Sequence, residues 1–216
     1  LVARKMAHEI KNPLTPIQLS IDSLKEKYSS KIGSDTQFNN YLQTINRQIK
    51  DIEKLVNEFS NFARMPRPVL KKLNLNDVIM RSVKFLNISL KSKVIFEKNK
   101  KHNYVMGDED QLYRVFINII KNADESIIEI MNKKPNYEGK IDIEILYNND
   151  YIVTVIKDNG KGIADTKIVM KPYFTTKKKG TGLGLPIVNK IINEHSGEFV
   201  IKKEIGTTIE IWLPSI

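Results

Sequence analysis

Apolar positions in the first sixty residues recur at helical intervals. Val2, Met6, Ile10, Leu14, Ile17, Ile21, Leu24 and Tyr28 step by four and three. That is one stripe on a helix of about 28 residues, ~42 Å long at ~1.5 Å rise per residue. The Ser, Gly and Asp within 29–35 predict a turn. A second stripe, Phe38, Leu42, Ile45, Ile49, Ile52, Val56 and Phe59, repeats as 4, 3, 4, 3, 4, 3, a heptad seam that requires a partner. Two such helices form a hairpin and leave apolar surface uncovered on both. Pairing two hairpins as a dimeric four-helix bundle is the economical solution. The first helix also begins at residue 1 without a cap, which reads as the cut edge of a longer protein.

Met65-Pro66-Arg67-Pro68 ends the second helix, because closely spaced prolines cannot continue one. This divides the chain into a helical hairpin at 1–65 and a mixed α/β region at 66–216. In the second region the pattern predicts helices at 76–90, 108–131 and 183–194. Short strands are expected at 93–97 and 104–106, a hairpin of 141–147 with 151–157, and a closing pair of 198–203 with 207–213. Helices layered on one face of a mixed sheet is the expected arrangement.

Composition narrows the class. The chain has 216 residues, of which 41% are hydrophobic and 28% charged, enough for a real core. With no cysteine, a disulfide scaffold, a Cys-zinc site and a thiol nucleophile are excluded. No apolar run approaches the ~18–20 residues that span a bilayer, so the chain as given is expected to be soluble. A net charge of +10 raises nucleic acid or anionic membrane as partners. The excess, however, is divided between ten Lys/Arg against seven Asp/Glu in 1–66 and twenty-five against eighteen in 67–216. Interleaved acids favour a solvated lysine-rich surface over a nucleic-acid footprint.

Five blocks carry chemistry. In the first, His8-Glu9-Ile10-Lys11-Asn12-Pro13-Leu14-Thr15-Pro16, His8 lies off the apolar stripe and should face outward. A lone helix histidine is ordinarily a surface residue, but Glu9 is placed to take a proton from one ring nitrogen, which leaves the other as a nucleophile. Pro13 and Pro16 free the carbonyls four residues before them, so a kink is expected beside His8. Asn12 lies one turn beyond His8 on the same face. Its amide can both donate and accept hydrogen bonds there, while the plainer reading is that it tolerates the backbone before Pro13.

The second block sets Asn118 and Asn122 four apart on one helix face, amide oxygens of the hard type that suit Mg²⁺; two solvent-facing asparagines are the alternative. In the third, Asp158-Asn159-Gly160-Lys161-Gly162, a carboxylate at a strand end could accept from an exocyclic amine such as adenine's, and the glycines allow close backbone approach. The fourth is Pro172-Tyr173-Phe174-Thr175-Thr176-Lys177. The fifth, Gly180-Thr181-Gly182-Leu183-Gly184-Leu185, is a glycine-rich loop leading into a helix, a cradle for phosphates built from backbone N–H groups. Lys177, Lys178 and Lys179 add positive charge just before it. The loop lacks the Gly-Lys-Ser/Thr ending of a Walker motif, and it does not follow a first strand as a Rossmann fingerprint would.

In order and spacing, these blocks resemble the histidine, asparagine, first glycine, phenylalanine and second glycine boxes of sensor histidine kinases. The resemblance covers nearly the whole chain. With Thr175-Thr176-Lys177 close before Gly180, it is most similar to nitrogen-regulation sensor kinases of the NtrB and NtrY kind. The resemblance implies a dimerisation and histidine-phosphotransfer hairpin, then an α/β sandwich ATP-binding domain of the type shared with DNA gyrase, Hsp90 and MutL. It makes His8 the phosphoacceptor and Glu9 its proton acceptor. Asn118 and Asn122 hold Mg²⁺ and phosphates, with Asn122 favoured for direct metal contact. Asp158 reads adenine in a pocket shaped by Gly160 and Gly162. Phe174 anchors a lid, Gly180, Thr181, Gly182, Leu183, Gly184 and Leu185 form the phosphate loop, and Lys177 meets the γ-phosphate. Asp124-Glu125-Ser126 departs from the small residues common after the asparagine box, with little consequence, and His195-Ser196-Gly197 is a helix-ending turn.

The expected reaction is ATP- and Mg²⁺-dependent phosphorylation of His8. Neutral imidazole attacks, so the rate should weaken below the histidine pKa of ~6.5. Transfer to an aspartate on a response regulator receiver domain follows, with phosphatase activity through Asn12. The implied partners are a second copy of the chain and that regulator, with no nucleic acid. The chain is expected to be the cytoplasmic core of a bacterial sensor that reaches the membrane only through upstream segments. The rivals are a non-signalling ATPase of the same superfamily, which the His8 block argues against, and a basic nucleic-acid-binding module.

Overall fold

The two heptad stripes fold as two long helices, α1 (Val2–Ile32) and α2 (Thr36–Ala63). The computed structural model describes residues 2–32, 36–63, 65–97, 103–163, 165–177 and 180–216, and within them all side chains except those of 2–9, 11, 29–32, 36 and 61. The chain divides into two compact units, Leu1–Pro66 with Thr176–Leu183, and Arg67–Thr175 with Gly184–Ile216.

In the first unit, α1 runs as one helix through Pro13 and Pro16. It also passes the turn expected from Ser29: residues 29–32 remain helical, because serine is only mildly unfavourable in a helix. Part of each stripe is buried inside the hairpin. Leu14, Ile21, Leu42 and Ile49 form one cluster with Phe38 packed against it, and Val56 is buried too. The alternate members, Ile10, Ile17, Leu24, Ile45 and Ile52, are 40–46% exposed. The packing is registered by a polar link, Gln18 Nε2 donating to Asn46 Oδ1 at 3.0 Å.

The second unit begins with β1 (Lys71–Asn74) and α3 (Leu75–Leu86), followed by β2 (Lys93–Phe96), β3 (Tyr104–Gly107) and α4 (Glu109–Met131). The chain continues through β4 (Lys140–Asn148), β5 (Tyr151–Asp158), α5 (Gly184–Glu194), β6 (Glu198–Glu204) and β7 (Gly206–Pro214). Five strands form one sheet in the order β2-β4-β5-β7-β6, and β1 pairs with β3 as a separate ribbon. Only β2 and β4 are parallel in the larger sheet; its other pairs are antiparallel. Ile143, Ile156 and Ile209 lie in register on one face, where they are buried with Phe116, Ile120 and Ile191 of the helices. Each large side chain so buried contributes about 1.5–3 kcal/mol.

Two elements differ from the sequence reading. β1 was not expected, since Lys-Lys-Leu-Asn has no strand pattern of its own and forms by pairing with β3. The helix expected at 76–90 stops at Leu86, whose carbonyl is shared by Ser89 N at 2.8 Å, Ser89 Oγ at 3.0 Å and Leu90 N at 3.1 Å as the chain turns away.

Helix α4 is fixed at its start. Asp108 is its N-cap, accepting from Gln111 N at 3.1 Å with Oδ1 and from Val69 N at 2.9 Å with Oδ2. The Asp108 N–H donates to His195 Nε2 at 2.9 Å, and His195 Nδ1 bonds the Ile191 carbonyl at 2.8 Å. A carbonyl only accepts and an N–H only donates, so these partners select the neutral tautomer with the proton on Nδ1. The buried imidazole thereby ties the end of α5 to the start of α4. Ser196 then turns at φ +56, and Gly197 N caps Ile192 O at 2.9 Å, the helix-ending turn expected of this segment.

Desolvation pushes the Asp108 carboxyl up, but the Val69, Gln111 and Asp110 N–H groups outweigh it and hold its pKa below the ordinary 3.8. A depressed carboxyl contributes stability that is present above its unfolded value and lost as pH falls through the folded one. Asp108→Ala should cost about 1 kcal/mol at neutral pH. Asp108→Asn, which caps without ionising, should flatten the stability loss below pH ~4 in urea titrations; a loss as steep as in the wild type would rule this out.

Candidate functional site

Helix α4 buries Leu112, Phe116, Ile119, Ile120 and Ile127. Asn118, Asn122 and Ser126 fall on an adjacent row at i, i+4 and i+8. Asn118 Nδ2 donates to the Arg114 carbonyl at 2.9 Å, which turns the amide oxygen outward. A β-carbon built on Gly184, the first residue of α5, would lie 3.6 Å from that oxygen and 3.6 Å from Asn122 Nδ2. The two asparagines therefore face the helix end that closes the last glycine-rich block. An outward amide oxygen beside a helix N-terminus fits a hard cation together with the anion it accompanies. Among the described residues no cluster of three or more His, Cys, Asp or Glu could hold a metal.

Asp158 ends β5 and is buried. Its Oδ1 accepts from Gly160 N at 2.8 Å and from Thr207 N at 3.4 Å. Two backbone donors on one oxygen fix the plane of the carboxylate. The loop after it is stitched by Asn159, whose Oδ1 accepts from Lys140 N at 2.8 Å while Nδ2 donates to Glu138 O at 2.8 Å. The Tyr137 hydroxyl donates to the Asn159 carbonyl, and Lys161 pairs with Glu129 on α4 at 2.5 Å. Gly206, at φ +93, passes so close that a β-carbon there would stand 1.9 Å from the Asp158 carbonyl oxygen. Gly162, at φ +75, abuts the Gly206 carbonyl in turn. A Gly160 β-carbon would meet Ser126 Oγ at 2.4 Å, which places the asparagine row and the Asp158 loop against each other.

The structure thus brings Asn118, Asn122, Asp158, Gly160, Gly162 and Gly184 into one unit around α4, and it puts Leu185 half-buried on α5. Phe174, expected as a lid anchor, is 39% exposed, and its N–H donates to Lys171 O at 3.2 Å. Lys177, Gly180, Thr181, Gly182 and Leu183 group with the helical hairpin. There the Thr181 hydroxyl donates to the Glu58 carboxylate of α2, and Gly180 N donates to Lys177 O at 3.2 Å. A non-local contact of this kind leaves no mark in the local sequence. Asn12 is exposed on α1. His8 and Glu9 lie on the same helix, with their side chains outside the described residues, as are Lys178 and Lys179.

Sequence reasoning passed over Gly206 and Thr207, whose only signal was a Gly-Thr-Thr start to the last strand. It also gave Asp124 and Ser126 little weight. Asp124 is buried, and its Oδ1 accepts from Lys91 N at 3.0 Å, Ser92 N at 2.8 Å and Ser92 Oγ at 2.6 Å, holding the turn before β2 to α4.

Residues 107–216 match the family model described as histidine kinase-, DNA gyrase B-, and HSP90-like ATPase, and residues 1–68 match the histidine kinase A phospho-acceptor domain. An NtrY-like sensor histidine kinase of Rickettsia conorii is 41% identical over 201 residues, covering 91% of this chain and 32% of that protein. Nitrogen regulation protein NtrY of Azorhizobium caulinodans is 39% identical over 202 residues, covering 91% and 26%. The chain thus spans about a third or less of the length of these relatives. Among solved structures, the histidine kinase ThkA in complex with the response regulator protein TrrA is similar in fold, with a TM-score of 0.67 over 98% of this chain and 60% of that one, at 23% identity.

The glycine contacts separate fold from site. Gly206→Ala should destabilise the second unit by about 3 kcal/mol or more, since both the dihedral and the 1.9 Å approach forbid a β-carbon. Gly184→Ala, with nothing nearer than 3.6 Å, should melt at or above the wild-type temperature. Equal melting of the two variants would contradict the backbone packing described.

Proposed function

Because this chain belongs to the family of histidine kinase-, DNA gyrase B- and HSP90-like ATPases, joined here to a histidine kinase phospho-acceptor domain, we propose that it is the kinase core of a two-component sensor that phosphorylates its own His8 from ATP. The observation that carries the reading is the convergence of the asparagine row, the clamped Asp158 carboxylate and the Gly184 helix start within one unit. Asp158 accepts the adenine amine. Gly160 and Gly162 line the base, and Gly184 with Leu185 opens the helix end toward the phosphates, continuing Gly180, Thr181, Gly182 and Leu183. Asn118 and Asn122 hold Mg²⁺, with the outward Asn118 oxygen as ready a ligand as Asn122. Bound there, the ion supplies charge neutralisation on the transferring phosphoryl group.

The chain's own residues do the rest. Glu9 takes the proton from one ring nitrogen of His8, and the other nitrogen attacks the γ-phosphorus. An N–P bond forms as the bond to the β,γ-bridging oxygen breaks, and ADP leaves. Lys177 steadies the γ-phosphate, and Phe174 holds the segment that carries it. The phosphoramidate is then passed to an aspartate on a response regulator receiver domain. That TrrA is bound by ThkA in a structure of similar fold supports this class of partner. Asn12, exposed one turn beyond His8, orients a water for hydrolysis of the phosphorylated regulator. The exposed row Ile10, Ile17, Leu24, Ile45 and Ile52 favours a homodimer through a four-helix bundle, which light scattering at micromolar concentration checks. The full-length protein reaches the membrane through segments outside this chain; among the described residues no helix is long and apolar enough to cross one. The phospho-acceptor domain favours signalling over a non-signalling ATPase.

Incubation with γ-labelled ATP and Mg²⁺ should label the wild type with acid-labile, base-stable phosphate. His8→Gln should bind ATP normally and take no label, whereas Asp158→Asn should lose ATP affinity first. Label persisting on His8→Gln would sink the assignment. Asn12→Ala should autophosphorylate while prolonging the lifetime of the phosphorylated regulator; an unchanged lifetime would make Asn12 structural.

A further inference from the structure

The five-stranded sheet has a second face, turned away from its helices. Along β7, Ile211 and Leu213 are buried in the core, so Glu210 and Trp212 lie on the other side. The register sets Glu198 of β6 directly opposite Trp212, and Tyr151 of β5 opposite Pro214, one diagonal step from the indole. At this end of the sheet the β4–β5 and α5–β6 turns wall a cavity of about 340 Å³, where Asn148, Asn149 and Ser196 join Tyr151, Glu198 and Trp212. The aromatic wall is held in place. Trp212 Nε1 donates to Glu210 Oε2 at 3.2 Å, Glu210 is paired with Lys202, and the Tyr151 ring stands edge-on to the indole at 6.2 Å and 66°. Elsewhere on this face Lys157 pairs with Glu204 and Lys140 with Asp142. Glu198 differs: it is exposed, with no hydrogen bond or ion pair among the described residues. In a chain of net charge +10, no described lysine or arginine answers this carboxylate.

We propose that the cleft binds an arginine side chain carried by a partner protein, its guanidinium stacked on Trp212 and forked onto Glu198. A guanidinium is planar and weakly hydrated, so it can lie on an aromatic face while donating two parallel N–H bonds to a carboxylate. The amide oxygens of Asn148 and Asn149 and the Ser196 hydroxyl offer further acceptors around it. A lysine ammonium is more strongly hydrated and cannot fork. Free arginine fits less well, because its α-carboxylate would enter a region that already holds Glu198 and, in the β4–β5 turn, Asp150. The cavity is at the small end of the ~300–1,000 Å³ typical of ligand sites, which suits one side chain. The alternative is that Trp212 and Tyr151 only cover Val153, which is 3% exposed although it pairs with Trp212 on this face.

Trp212 is the chain's only tryptophan, so its fluorescence reads the cleft directly. Titration with N-acetyl-glycyl-arginyl-glycinamide should change the emission saturably, with a midpoint of about 1–5 mM. The citrulline peptide, a neutral isostere, should bind about tenfold more weakly, and the lysine peptide also more weakly. Glu198→Gln should lose about tenfold in affinity for the arginine peptide. Its melting temperature should stay unchanged, because the side chain is exposed and unpaired. Its ATP affinity should also match the wild type's, since the cleft is at the far end of β5 from Asp158. The proposal is overturned if the arginine and citrulline peptides titrate alike, or if Glu198→Gln binds the arginine peptide as the wild type does or melts lower. Free arginine binding more tightly than the peptide would give the cleft to a small molecule. A lower mass of Glu198→Gln in light scattering would give it to a second copy of the chain. Either result overturns the assignment to a partner protein.

Discussion

The second unit depends on α4 serving two faces at once. One stripe of the helix must be buried to hold the helices on the sheet, which Leu112, Phe116, Ile119, Ile120 and Ile127 accomplish. The neighbouring row, Asn118, Asn122 and Ser126, is then presented at a fixed height and angle without freedom of its own. Rotating α4 to relieve any one polar residue would expose the apolar stripe. Site geometry is therefore inherited from core packing.

That helix is clamped wherever its position matters. His195, buried between Asp108 and Ile191, joins the start of α4 to the end of α5, so the helix that opens at Gly184 and the helix that carries the asparagines are held together at one end. Asp124 anchors the turn before β2, and Lys161 ties the Asp158 loop to Glu129. On the opposite side Gly206 lets β7 pass against Asp158 closely enough for Thr207 N to share its carboxylate. A carboxylate held by backbone donors is pre-oriented, which spares a ligand the ordering cost.

The hairpin shows a different economy. Its apolar residues exceed what two helices can cover, so alternate members of each seam stay 40–46% exposed. Such a surface is costly in isolation and suited to a bundle. The segment 176–183 groups with this hairpin, where Thr181 donates to Glu58 of α2.

Much of this was legible in the chain. Periods of 3.5 and 2 set helices and strands because burial repeats with the backbone's own geometry, and the break at Pro66 and Pro68 follows from missing donors. The five blocks stood out as candidates because groups that bind phosphate, metal or an amine call for particular residue types at fixed spacing. What the sequence alone left open required distant backbone to meet. β1 exists only through pairing with β3, and His195 acquires its role only beside Asp108. Gly206 matters only because β7 crosses Asp158, and Trp212 faces Glu198 only because β6 pairs with β7 in that register. Local pattern determines which elements form and which groups are available; contact across the fold decides which of those groups are satisfied and which remain to act.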